Sequence, residues 1–184
     1  MGLSFVPIRP VRISGRGVSA STTQLGDWPC RSLLPPQQDR VCLDAATVLP
    51  SWGNGAPELL IQLPSNYGVR PSKGPDSDVF YLGPKGEPSS DIMLYVGHNP
   101  SAPAPSESAQ EIRGTIRGRT ITWRRWVEGA AGARIFKQEA MIRALFDTSA
   151  SGYGGLIVHA LIMGPDAGTL ERRQRIVETL RPGN

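Results

Sequence analysis

Histidine and cysteine are the scarcest carriers of chemistry in this sequence: the 184 residues hold two of each. A structural zinc site takes about four Cys, His or carboxylate ligands, and the chain has only two Cys and two His to offer. The C-x2-C spacing of redox motifs is absent as well. Long apolar runs are missing too, and nothing approaches the roughly 18 residues of a spanning helix. Gly-x-Ser-x-Gly does not occur, and no Ser stands between a strand and a helix as a nucleophile elbow requires. There is no calcium loop with its glycine at the sixth position. The glycines of Gly152–Gly155 precede a strand-like run, and no lysine follows them. A phosphate loop lies between a strand and a helix, so these residues read as a hairpin turn. No cofactor and no metal is expected.

Turn formers, by contrast, are plentiful, with 21 Gly and 17 Pro. Such punctuation excludes a coiled coil or a bundle of long helices and favours short strands joined by tight connections. The net charge of +4 is uneven, because residues 41–110 are acidic and residues 111–140 basic. An acidic middle interrupts a continuous phosphate track, which ranks nucleic acid below protein as a partner.

Residues 1–57 read as an irregular Pro-rich arm, since Pro7, Pro10, Pro29, Pro35, Pro36 and Pro50 break helices and ladders. Within it, Val41–Val48 suits one strand or one helical turn, and Trp28 and Trp52 pin the arm to the body. Regular structure is expected from Glu58, giving a domain over 58–184. Glu58–Leu63, Asp78–Leu82 and Ile92–Val96 are short apolar runs ended by Pro or Gly, which predicts strands. Asn99–Gln110 is a loop. Glu111–Val127 reads as a hairpin turning near Gly118-Arg119. Arg134–Asp147 carries both periods and is read as a strand, with helix as the alternative. Leu156–Met163 is a further strand, and Asp166 opens an amphipathic helix to about Leu180. Strands followed by one helix predict an α+β fold: an antiparallel sheet with a C-terminal helix packed on one face.

The densest cationic cluster is Arg113, Arg117, Arg119, Arg124 and Arg125, with Trp123 and Trp126 interleaved. Arginine beside aromatics on a sheet face can hold single-stranded nucleic acid by charge and stacking. The same residues suit an acidic protein partner, and a strand puts Arg119 and Arg125 on one face and Arg124 on the other. His98 follows a strand and is read as exposed, with Asp76, Asp78, Glu87 and Asp91 as the nearest carboxylates in sequence. His159 alternates with Ile157 and Leu161 and is read as a hydrogen-bonded core or sheet-face residue. Cys30 and Cys42 are disulfide candidates, and their bond would contribute about 3 kcal/mol by closing a short loop. Bonded, they would favour an extracytoplasmic or organellar setting.

Leu63-Pro64-x-x-Tyr67-x-Val69, Asp78-Val79-Phe80-Tyr81 and Leu94-Tyr95-Val96-Gly97 lead to a long last hairpin. Leu156–Met163 then runs into a helix ending Val-Glu-Thr-Leu-Arg-Pro. In this pattern of strand ends, residues 58–182 resemble the PsbP-like fold, a family of extrinsic photosystem proteins and small exported bacterial proteins. The resemblance implies an antiparallel sheet sandwiched with helices in a non-enzymatic binding or assembly part. The functional expectation is therefore a protein-binding module without enzymatic activity. The alternatives are a small hydrolase using His98 with the nearby acids and a single-stranded nucleic-acid binder using Arg113–Arg125.

Overall fold

Pro and Gly close most of the apolar runs, and between them the computed structural model places strands. It describes residues 43, 46–51, 57–87, 90–101, 109–130, 133–143, 145 and 155–183. In chain order the elements are β1 (Ala46–Leu49), β2 (Leu59–Gln62), β3 (Tyr67–Lys73), β4 (Ser77–Pro84), β5 (Ile92–Gly97) and β6 (Gln110–Ile116). These are followed by β7 (Arg119–Glu128), β8 (Ile135–Ile142), β9 (Ile157–Gly164), α1 (Ala167–Val177) and β10 (Arg181–Pro182). The described residues are thus mostly antiparallel strand with one C-terminal helix, an α+β architecture.

Seven strands form one antiparallel sheet in the order β3-β4-β5-β9-β8-β7-β6, and β1-β2-β10 form a smaller one. The large sheet joins two meanders, β3 to β5 and β6 to β9, along the β5–β9 ladder, where Leu94 opposes Ala160. Strands at that seam are buried along most of their length, which is why Leu156–Met163 is apolar without strict alternation. One face carries Phe80, Leu82, Leu94, Trp123, Ile142 and Ile162. It packs in a single cluster with Leu59 and Ile61 of β2 and with Leu170, Ile176, Val177 and Leu180 on and after α1.

Helix α1 starts where Asp166, in extended backbone, accepts the Thr169 N–H at 2.7 Å and the Thr169 hydroxyl at 3.0 Å. It packs against β9, β8 and β2. Polar ties fix it to the sheet. Arg125 Nε donates to Gln138 Oε1 at 2.8 Å, Gln138 Nε2 to Gln174 Oε1 at 2.6 Å, and Gln174 Nε2 to Glu178 Oε1 at 2.7 Å. The Glu178 carboxylate also accepts the Thr115 N–H. At the other end Arg173 meets Asp91 at 2.6 Å and donates to the Met163 carbonyl, while the Tyr67 hydroxyl donates to Asp91 at 2.7 Å. Burial and that donation to a carboxylate raise the Tyr67 phenol above its ordinary value.

One alternative is resolved and two expectations change. Among the described residues the first strand is β1, so of the two readings of Val41–Val48 the strand applies to Ala46–Leu49, which pairs with β2 from Ala46↔Gln62 to Leu49↔Leu59. Tyr67–Lys73 is a strand that its sequence does not announce: Gly68 and Pro71 lower its propensity, and Pro71 is tolerated because β3 is an edge strand. The final helix ends at Val177, and Arg181–Pro182 turns back to pair with β2. Arg134–Asp147 contains the expected strand, β8. Cys30, Cys42, Trp28 and Trp52 lie outside the described residues.

Candidate functional site

The β7–β8 ladder runs from Glu128↔Ile135 only as far as Arg124↔Glu139. Beyond that pair, β7 continues to Arg119 bound to β6, and β8 continues to Ile142 bound to β9. Two strands that share a hairpin therefore part company. A cleft of about 390 Å³ opens between them, and its described lining includes Arg117, Arg119, Arg124 and Arg143. Ile116, Ile121, Met141, Ile142 and Leu145 supply its apolar wall. That volume suits a small molecule or a short peptide anchor, whose pockets span roughly 300–1,000 Å³.

Side chains directly opposite in an antiparallel ladder share a face. Arg124, Glu139 and Leu161 are one such row, and Met141, His159 and Tyr95 are another, both on the face turned away from the core. Glu139 belongs to both rows through its side chain. Its Oε1 lies 3.5 Å from Arg124, and its Oε2 lies 3.1 Å from His159 Nε2. The Glu139 and His159 side chains are each 2% exposed, against 36% for Arg124. A buried carboxylate needs such partners, since an unpaired one costs far more than its site returns. The consequence is a guanidinium held at the cleft wall by a carboxylate that the imidazole braces from behind.

At the cleft mouth the β6–β7 turn has Arg117 at φ 51 and Gly118 at φ 75. A two-residue turn with both φ positive matches the twist of the strands and prefers Asn-Gly. Arginine here sits in left-handed backbone, which ordinarily disfavours a side chain. Arg117 and Arg143 are exposed, and neither is in an ion pair among the described residues.

The predicted cationic cluster is divided by the pleat, as strand alternation requires. Arg124 and Arg113 share the outer face, Arg113 lying opposite Thr122. Arg125 points to the core side, where it binds Gln138 and approaches Glu171 at 3.7 Å. Trp123 is 0% exposed and packs in the core, so it offers no stacking surface, and Trp126 is buried as well. Gly114 leaves room for the Trp123 indole, whose Nε1 would lie 2.5 Å from a Cβ added there. Trp126 Nε1 donates to Glu128 at 2.8 Å, and Lys137 sits 2.5 Å from the same carboxylate; both hold Glu128 below its ordinary range.

His98 is half-buried at the end of β5, and Asp91 precedes the other end. Six extended residues at about 3.3 Å each separate the two groups by roughly 20 Å. Asp78 is buried opposite Val96, two residues from His98, and the ladder closes at Ser77↔Gly97 with Asp76 and His98 next in each strand, whereas Glu87 lies with Asp91 at the far end. Among the described residues no group of three or more His, Cys, Asp and Glu is placed to hold a metal. No helix of the described chain is long and apolar enough to cross a membrane.

Sequence reasoning missed Arg143 and the role of Glu139. The signal was present: Glu139 is the one acid of β8 and is followed directly by Ala140, Met141 and Ile142, so a strand buried there calls for a partner to its charge across the ladder. His159 was read as a hydrogen-bonded sheet residue, and Glu139 is its partner.

No protein-family model and no curated protein matches the chain. Among solved structures it is similar to a protein of Bacteroides thetaiotaomicron VPI-5482 known from a crystal structure at 1.50 Å resolution. The TM-score is 0.40, with 11% identity over 68% of this chain, and the chain spans 45% of that protein.

Proposed function

We propose that this protein is a non-enzymatic binding module that holds an acidic segment of a partner protein in the cleft between β7 and β8. The observation that carries the reading is the cleft itself, an apolar wall ringed by Arg117, Arg119, Arg124 and Arg143. Arginine is the side chain suited to carboxylate recognition, because its planar fork offers paired donors. Glu139 and His159 keep one of these forks in place before a ligand arrives, which lowers the ordering cost of binding.

Single-stranded nucleic acid is less well served. Its binding rests on aromatic platforms beside the cations, and Trp123 and Trp126 are buried while Arg125 is bonded elsewhere. Glu87 and Asp91 lie at the far end of β5 from His98, which removes two of the four acids from the hydrolase reading. An exported or organellar setting and a PsbP-like relationship belong to this proposal, and they rest on the cysteine pair and the strand-end pattern.

Fluorescence anisotropy with labelled acidic, neutral and basic peptides, and with an oligonucleotide, tests the reading. Acidic peptides should bind, and charge reversal at Arg117 and Arg143 should weaken them at least tenfold. Oligonucleotide binding should be no tighter than about tens of micromolar at physiological salt, well short of specific affinities. Submicromolar oligonucleotide binding that falls steeply with salt would sink the proposal in favour of a nucleic-acid partner.

A further inference from the structure

Past Arg124↔Glu139, β7 and β8 each turn toward the other an edge that has no ladder partner among the described residues. Antiparallel ladders alternate, so each edge can be read from the strand's other neighbour. The two-residue turn closes on the pair Ile116 and Arg119, which commits the backbone of Arg119, Ile121 and Trp123 to β6. The N–H and C=O groups of Thr120 and Thr122 are left facing the gap. On the opposite side, Met163 N–H donates to the Asp91 carbonyl at 3.0 Å, so the odd-numbered residues of β9 serve β5 and the even-numbered ones serve β8. Ala140 and Ile142 are thereby committed to β9. Met141, and Arg143 one step past the strand, direct their backbone groups into the cleft.

Side chains divide by the same parity. Thr120, Thr122, Arg124, Glu139 and Met141 lie on the outer face, with Arg143 next in that row. Ile121 and Ile142 lie on the core face. A chain laid into the gap would show one row of its side chains to the arginines and the other to the isoleucines. We infer that the cleft takes the acidic segment as an added β-strand of alternating acidic and apolar residues. Its carboxylates meet Arg124 and Arg143, its apolar side chains meet Ile121 and Ile142, and its backbone pairs with the open edges. Main-chain bonds then give affinity and the alternate side chains give selectivity, as in other strand additions. The inference rests on the reading of the cleft as an acidic-partner site and adds the mode of binding.

The probe is a fluorescein-labelled peptide of alternating Glu and Val, compared by anisotropy with a block peptide of the same composition. Two versions N-methylated on alternate amides, one in each register, complete the set. The alternating peptide should bind at least tenfold tighter than the block peptide, and at least one methylated version should lose binding at least tenfold at unchanged charge. Thr122→Pro removes one cleft-facing N–H that no ladder among the described residues uses, and it should weaken the peptide by a similar factor. If that variant fails to fold, amide exchange on the intact protein carries the same question. Thr122 and Met141 should exchange quickly in the free protein and slow on peptide addition, while Ile121 and Ile142 stay protected throughout.

Methylated and block peptides that bind as well as the parent would overturn strand addition and leave the acidic-partner reading standing. Failure of every acidic peptide would overturn both. A dimer of the free protein that the peptide dissociates would assign the cleft to a second copy of this chain and overturn the choice of occupant.

Discussion

Replacing Glu139 by Ala removes the carboxylate shared by His159 and Arg124, and its cost can be worked from their burial. The imidazole loses its partner at a site where its side chain is 2% exposed. An orphaned buried polar group costs about 1–3 kcal/mol. Arg124 is 36% exposed, so water replaces most of what it loses. A pair that accessible to solvent is worth about 0–1 kcal/mol. The variant should therefore lose about 1–4 kcal/mol of unfolding free energy. For a protein of this size that corresponds to a melting point lower by roughly 2–15 °C. Urea titration followed by tryptophan fluorescence measures the loss, since Trp123 and Trp126 are buried in the native state. Glu139→Gln is the companion. Its amide has the same shape, accepts from one neighbour, and donates to an imidazole that has switched tautomer, so its cost should stay below about 1 kcal/mol. A loss under about 1 kcal/mol for Glu139→Ala would refute the buried pairing on which the account of Arg124 depends. Equal losses for Ala and Gln would show that charge, and not hydrogen bonding, is what the site needs.

Three further outcomes follow from the geometry. Gly114→Ala places a Cβ 2.5 Å from Trp123 Nε1 and against the Glu178 carboxylate; it should cost about 1–3 kcal/mol, and an unchanged melting point would contradict the close approach. Arg117→Asn relieves a side chain held at φ 51; it should stabilise the fold by up to about 1 kcal/mol while weakening acidic peptides, and a loss of stability would count against the turn geometry. The Asp166 carboxyl is held below its ordinary value first by the Thr169 N–H and then by the Thr169 hydroxyl. Its folded value lies below its unfolded one, so its contribution is complete above the ordinary aspartate range and is lost as pH falls through the lowered value. Asp166→Ala should lower the melting point at neutral pH and flatten the acid limb of the stability profile. A profile parallel to that of the parent would remove the cap from the account.

Most of the strands were legible because Pro and Gly mark the ends of β2, β4, β5 and β9, and because β7 alternates. Tyr67–Lys73 escaped because its residues are poor strand formers that are ordered by β4 alongside, a tertiary effect that local propensity does not carry. Ala46–Leu49 stayed open between strand and helical turn for a related reason: its partner β2 lies beyond Pro50 and Pro57, prolines that read as breaks. The division of the arginines between two faces was predictable from strand period alone. The cleft was not, because it arises where β7 and β8 stop pairing with each other while both continue with other neighbours. No residue in the sequence marks that parting.

The strand order has a consequence for how the chain can be cut. Strands β1 to β5 come from one half of the sequence, and β6 to β10 with α1 come from the other. Among the described residues their hydrogen-bonded ladders meet only at β5–β9 and β2–β10. The peptide link between Gly97 and Gln110 is therefore not what aligns the halves; the registers Leu94↔Ala160 and Leu60↔Arg181 are. Each half alone would expose one side of a seam whose residues Leu94, Val96, Val158 and Ile162 are almost fully buried in the whole. Supplied together as two separate polypeptides, the halves have reason to reassemble with each other. The fold can then serve as a split protein whose two pieces report on their own proximity.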